Sequence, residues 1–199
     1  MILLKEELLE PLSRTLRFVK AFKELPNQTN IFVADLGCGP EIRAYFTMEK
    51  MGIKISKYYG IDPLISQEII NKFTLNPKIQ LIQKSFDRQI PLSDSSVDYI
   101  ISLAVLEHVD NPKDILQDIP RVLKTGGKAI ITTPTPRAKG ILEFLSYKLH
   151  IISRREIEEH QNYFTKEDLI SMLKSRKDII VSHSYFEFGL NNLLVIKKK

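Results

Sequence analysis

The sequence predicts an α/β fold: a doubly wound, mostly parallel sheet of seven strands with an antiparallel last strand. Three observations predict it. Short apolar runs alternate with amphipathic segments from about residue 30 to residue 134, the pattern of parallel strands joined by right-handed helical crossovers. The first of those runs, IFVADLG, ends in a glycine turn that opens a helix. At the other end, DIIVSHSYFEF and NNLLVIK are separated by only a few residues around Gly189, and so short a connection joins antiparallel neighbours only.

Taken in order, residues 5 to 25 carry Leu8, Leu12, Leu16, Val19 and Leu25 near helical spacing, with Arg14, Arg17, Lys20 and Lys23 between them. This is an amphipathic leading segment, with Pro11 near a helix start or a break because it has no N–H to donate. After the PNQTN turn, IFVADLG is a short apolar run suited to a buried parallel strand. Helix EIRAYFTMEKMG, strand KYYGID, helix LISQEIINKF, strands KIQLIQ and VDYIISLAV, helix PKDILQDIPRVL and strand GKAIITTP follow. Asn111 is expected to cap the helix that Pro112 opens, and Gly126 and Gly127 to close it, while Pro120 should bend or break it. Thr165 with Asp168 resembles a capping box, and Phe164 with Leu169 has the spacing of a hydrophobic staple. Residues 135–165 are a long interruption rich in large apolar residues, expected to form a lid or substrate wall.

A chain of 199 residues is expected to form one domain: a leading helical segment (1–27), a core (30–134), the insertion (135–165), and a C-terminal helix with its hairpin (166–199). With 43% hydrophobic and 27% charged residues, disordered and fibrous classes fit poorly. No apolar run approaches the roughly 18 residues a membrane span needs, and neither a signal peptide nor a transmembrane helix is expected. Cys38 is the single cysteine, so no internal disulfide forms, in keeping with a cytoplasmic location. The net charge of +5 reads first as dispersed surface charge with a solvated tail, Lys197 to Lys199, and second as an attraction to an anionic partner.

Chemistry concentrates in VADLGCGPEIRAYF, residues 33 to 46. Ligands of open α/β sheets bind at the carboxyl ends of the strands, where the strand order reverses. Gly37 and Gly39 let the backbone approach a ligand there, and the amides opening the next helix favour a negatively charged group. Asp35 brings a carboxylate to the same crevice and suits a cationic part of the ligand. Asp62 ends KYYGID, 27 residues after Asp35, where a carboxylate accepts both hydroxyls of a ribose. By itself D-x-G-x-G is also compatible with an ordinary strand-to-helix turn. The dinucleotide fingerprint G-x-G-x-x-G fails, because Ile42 stands at its third glycine.

VADLGCGP, YYGIDP, IPLSDSSVDYIISLAVLEHV and RVLKTGGKAIITTP occur in the order and at the spacings of class I S-adenosylmethionine-dependent methyltransferases, which the chain resembles over about residues 30 to 197. It is most similar to the group with a leucine-glutamate-histidine turn after the fourth strand, and EHQNYFTKEDLISML resembles a segment of that group's small-molecule and sugar methyltransferases. The resemblance implies a Rossmann-like fold, S-adenosyl-L-methionine as cofactor, and methyl transfer as the activity. It implies that Gly37 and Gly39 admit the methionine portion, with Asp35 near its ammonium group and Cys38 filling the turn. Asp62, with Pro63 beside it, would bind the ribose, and Ser85, Phe86 and Asp87 would face adenine. Ser102 and Leu103 would lie along the cofactor near the methyl group. One departure is Glu41, where the family turn has a further glycine: pointed inward it would oppose the methionine carboxylate, so it is expected to point outward. A degenerate, non-catalytic cofactor- or partner-binding domain is the alternative.

Displacement at a sulfonium methyl asks the protein to hold a nucleophile about 3–3.5 Å away and exclude water, with a general base where the acceptor is a hydroxyl. His108, in the shared turn, and His160, in the insertion beside Tyr163, are the candidate bases. The four histidines lack H-E-x-x-H spacing, so no metal is expected. SLAVLEH stands where nucleic-acid amino methyltransferases carry an Asn/Asp-Pro-Pro-aromatic motif, which ranks a small-molecule, glycan or lipid-linked acceptor above RNA or DNA. Ile141, Leu142, Leu145 and Leu149 form one helical stripe with Arg137, Lys139 and Lys148 nearby. That stripe reads as a lid or, alternatively, as a contact for a lipid-linked or membrane-surface substrate.

Overall fold

The structure, a computed structural model, describes residues 9–26, 30–140 and 162–199. Its seven strands are β1 (Ile31–Leu36), β2 (Ile55–Ile61), β3 (Ile79–Ile82), β4 (Val97–Leu103), β5 (Leu123–Pro134), β6 (Ile179–Phe186) and β7 (Asn191–Lys198), in the sheet order β3-β2-β1-β4-β5-β7-β6. Every pairing from β3 to β5 is parallel, and β7 runs antiparallel to both neighbours. The order reverses at β1, whose carboxyl end therefore opens a crevice between β2 and β4.

Helices cover both faces because the central strands are apolar on both. One face carries Ala34, Leu36, Ile100 and Ile131 against α4 (Pro112–Val122) and against Leu169 and Leu173 of α5 (Lys166–Leu173). The other carries Val33, Tyr58, Ile101 and Ile130 against α2 (Arg43–Lys50) and the end of α1 (Leu9–Phe22), with α3 (Gln67–Phe73) beside β3. Pro11 lies within α1, whose described part begins at Leu9. The leucine stripe of α1 turns outward: Leu12, Leu16 and Val19 are 57%, 46% and 40% exposed, while Phe18, Ala21 and Phe22 pack on the sheet.

Three local expectations change. Asn111 stands at the N-cap of α4, yet its side chain makes no capping hydrogen bond. Pro120 does not break α4, which runs through it to Val122; the missing N–H falls in the last turn, and the ring is buried in the core. Nor do Gly126 and Gly127 close that helix. Leu123 is already extended and paired with Val97, and the glycines lie in a bulge of β5 before Lys128 pairs with Tyr99. The capping box holds as read: Asp168 N–H donates to Thr165 Oγ1 at 3.1 Å and Thr165 N–H to Asp168 Oδ2 at 2.8 Å.

Candidate functional site

Gly37 and Gly39 adopt φ of +74° and +66°, values that cost little only without a Cβ. The turn is tied to β2: Gly37 N–H donates to the Ile61 carbonyl at 2.8 Å, and Gly39 N–H to Asp62 Oδ2 at 2.9 Å. The other oxygen of Asp62 accepts from Leu64 N–H at 2.7 Å. One carboxylate thus clamps the glycine turn to the turn after β2, and each of its oxygens keeps a lone pair for a ligand.

Ile42 takes a left-handed conformation, φ 43° and ψ 44°, immediately before α2. A left-handed backbone is strained for a β-branched residue, and full burial of the isoleucine side chain holds that strain in place. This turn also explains why the helix starts at Arg43 rather than Glu41. Glu41 is more than half exposed, pairs with Arg43, and with it borders the smaller of the cavities described below.

Two cavities meet at Gly37. The larger, about 660 Å³, is lined by Asp62, Pro63, Ser85, Phe86 and Asp87 on one wall and by Val105 and His108 on the other. The smaller, about 320 Å³, is lined by Asp35, Cys38, Gly39, Leu103 and, from α1, Arg14 and Arg17. Most of the residues named from the sequence therefore come together. Ser102 does not: it is buried on the opposite face of β4 from Leu103 and lines neither cavity. His160, with the Ile141 to Leu149 stripe, lies outside the described residues.

Sequence reasoning missed the contribution of α1. The leucine spacing drew attention to the outward stripe, whereas the inward face brings Arg14 and Arg17 over the glycine turn. It also missed Glu107, in the 3-10 turn Leu106–His108 after β4. Glu107 is fully buried and both carboxylate oxygens lack a hydrogen-bond partner. Burial pushes its carboxyl up to about 7, only partly countered by its own nearby backbone amide and the Arg17 guanidinium. A raised carboxyl favours folding fully below its unfolded value, and that advantage is lost as pH rises through about 7. Glu107→Gln should therefore stabilise the protein at pH 8 by about 1–3 kcal/mol and make no difference near pH 4, as thermal melts across that range would show. A loss of stability at pH 8 would mean that the charge is a structural ion pair.

Among the described residues, no group of three His, Cys, Asp or Glu is placed to hold a metal ion, and no helix is long and apolar enough to cross a membrane.

A seven-stranded sheet in this order, with a glycine turn between two strand-end carboxylates, defines the class I methyltransferase fold. The chain belongs to the methyltransferase-domain family, whose sequence profile matches residues 6–176. It is 30% identical over 108 residues to a tRNA U34 carboxymethyltransferase of Pseudoalteromonas atlantica, covering 52% of this chain and 32% of that protein. It is 23% identical over 147 residues to a ubiquinone biosynthesis O-methyltransferase of Photobacterium profundum, covering 71% of this chain and 60% of that protein. The chain thus spans about a third and three fifths of these relatives. Among solved structures it is similar to a Haloferax volcanii complex of the Trm112 methyltransferase activator with a methyltransferase (TM-score 0.71, 16% identity, 94% of this chain and 91% of that one). It is also similar to a SAM-dependent methyltransferase from Aquifex aeolicus (TM-score 0.62, 21% identity, 92% and 89%). At these identities the structural likeness is one of fold.

Proposed function

We propose that the chain is an S-adenosylmethionine-dependent methyltransferase. The observation that carries this reading is the pair of cavities that share Gly37 at the β1 turn, one flanked by Asp62 and the other by Asp35. Their volumes suit a nucleoside at one end and an amino-acid moiety at the other. Asp62 would take the ribose hydroxyls with its remaining lone pairs; Ser85, Phe86 and Asp87 would border the adenine. Asp35 would face the ammonium group, and Arg14 and Arg17 supply positive charge for the carboxylate. Bound there, the cofactor supplies an electrophilic methyl group. The chain's own task is to fix both reactants and keep water out. Glu41 borders the methionine end, but its pairing with Arg43 and the nearby Arg14 and Arg17 offset the repulsion that would have favoured a degenerate domain.

For the acceptor we favour a small molecule, glycan or lipid-linked compound bearing a hydroxyl or amine. The relatives named for ubiquinone biosynthesis support an oxygen acceptor, whereas the relative named for tRNA U34 supports RNA as the second reading. His108, on the wall of the larger cavity, and His160 are the proposed bases.

Titration calorimetry with S-adenosylhomocysteine, with NADH as control, tests the cofactor. Saturable binding of the first alone is expected. At about 100 times the dissociation constant it should stabilise the fold by about 2.7 kcal/mol, a melting rise of about 5–10 °C. Absence of binding would overturn the reading. Turnover of radiolabelled methyl groups onto hydroxylated, amino and RNA acceptors would then decide the acceptor class.

A further inference from the structure

Asp35 is held by a residue that the glycine turn does not contain. Tyr58, fully buried on β2, donates its phenolic O–H to Asp35 Oδ2 at 2.5 Å. The strand register pairs Val33 with Tyr58 and Asp35 with Gly60, so the ring starts one step below the carboxylate and must climb past Gly60 to reach it. Gly60 leaves the room: a Cβ there would lie 3.0 Å from the Tyr58 ring and 2.9 Å from Cys38 Sγ. Tyr45 of α2 closes the ring from the side, edge-on, with centroids 5.1 Å apart. Phenol, carboxylate and clamp are thus built as one unit beneath the smaller cavity.

We infer that Tyr58 is a positioning residue for the cofactor: by engaging one oxygen of Asp35 it keeps that carboxylate charged and oriented toward an ammonium group in the adjoining cavity. The claim rests on the cofactor reading above. Burial raises the Asp35 carboxyl, the Tyr58 bond opposes that rise, and the nearby Asp62 charge adds to it, leaving the group at about 7. The other groups facing this end of the site are Cys38, whose thiol burial pushes well up, the Glu41–Arg43 pair, and Arg14 and Arg17 of α1, with Glu107, pushed by burial up to about 7, acting on Arg17. Glu107 is therefore a second group that changes charge around neutrality, and Asp35→Asn separates the two.

The sign follows from charge. A zwitterionic amino-acid moiety prefers ionised Asp35, so cofactor affinity rises as pH rises through about 7. Without the phenol the carboxyl moves further up, and the rise shifts with it.

Calorimetric binding of S-adenosylhomocysteine from pH 5.5 to 9, with melting temperatures recorded alongside, tests this on wild type, Tyr58→Phe, Asp35→Asn and Tyr59→Phe. Wild-type affinity should climb about tenfold per pH unit below the Asp35 transition. Tyr58→Phe should bind about five- to tenfold more weakly at pH 7 and approach wild type at pH 9, while Tyr59→Phe matches wild type throughout. In Asp35→Asn the step should vanish. No binding by wild type would sink the cofactor reading itself. Binding that is flat with pH, a Tyr58→Phe profile superimposable on wild type, or a step that survives in Asp35→Asn and so belongs to another group such as Glu107, would each overturn the role of Tyr58 while leaving the cofactor reading intact.

Discussion

Replacing Asp62 by alanine is expected to reduce S-adenosylhomocysteine affinity by at least about 100-fold, close to 2.7 kcal/mol. Two losses coincide in that variant. The ribose hydroxyls lose their acceptor, and the clamp between the glycine turn and the β2 turn is cut, since Gly39 N–H and Leu64 N–H both donate to this carboxylate. Hydrogen bonds to a charged group contribute about 1.5–3 kcal/mol each, so the free protein, losing two, should lose about 3–6 kcal/mol of stability as well. Asparagine should fail almost as badly. Whichever way its amide is turned, an NH2 group meets one of the two backbone donors. Calorimetry and thermal melts on Asp62→Ala and Asp62→Asn check both effects. Wild-type affinity in the asparagine variant would show that the carboxylate is not what the ligand reads.

The second large effect belongs to Gly37. A Cβ at this position would lie 2.3 Å from Val105 Cγ2 and 2.7 Å from Cγ1, on a backbone at φ +74°. Valine has no flexible end to withdraw, so the turn must shift or Val105 must move within the wall of the larger cavity. Because Gly37 lines both cavities, either movement alters the walls that a bipartite ligand lying across them has to touch. Gly37→Ala should cost about 2–4 kcal/mol of stability and abolish measurable S-adenosylhomocysteine binding. Gly39→Ala is the informative contrast. Nothing lies within 4 Å of its added Cβ, and only the strain of φ +66° remains, about 1–2 kcal/mol. Its affinity should fall by less than about tenfold. Equal damage from the two substitutions would mean that backbone strain, not obstruction at Val105, sets the effect.

Much of the site was legible because local rules and tertiary demands coincide there. Asp35, Gly37, Gly39 and Asp62 sit at strand ends, where chain direction and spacing alone bring them to one crevice. Glu41 illustrates the limit of such reading: its identity raised the question of repulsion, and only its pairing with Arg43 answered it. Ser102 and Leu103 illustrate another. Both end β4, yet alternation along the strand sends one side chain to the cofactor face and the other to the α4 face.

By itself the sequence determined the strand-helix alternation, the antiparallel C-terminal hairpin, the capping box at Thr165 and the identity of the carboxylate-flanked glycine turn. These depend on periods of two and 3.6 residues, on short connections, and on backbone conformations that particular residue types favour. What only the tertiary structure decided were relations between elements far apart in the chain. The inward face of α1 brings Arg14 and Arg17 to a turn on β1, Glu107 is sealed without a donor, and Tyr58 climbs past Gly60 to reach Asp35. No periodicity encodes these. Burial and partnership are fixed when separate elements pack together, and the same packing sets the charge state of every carboxylate it encloses.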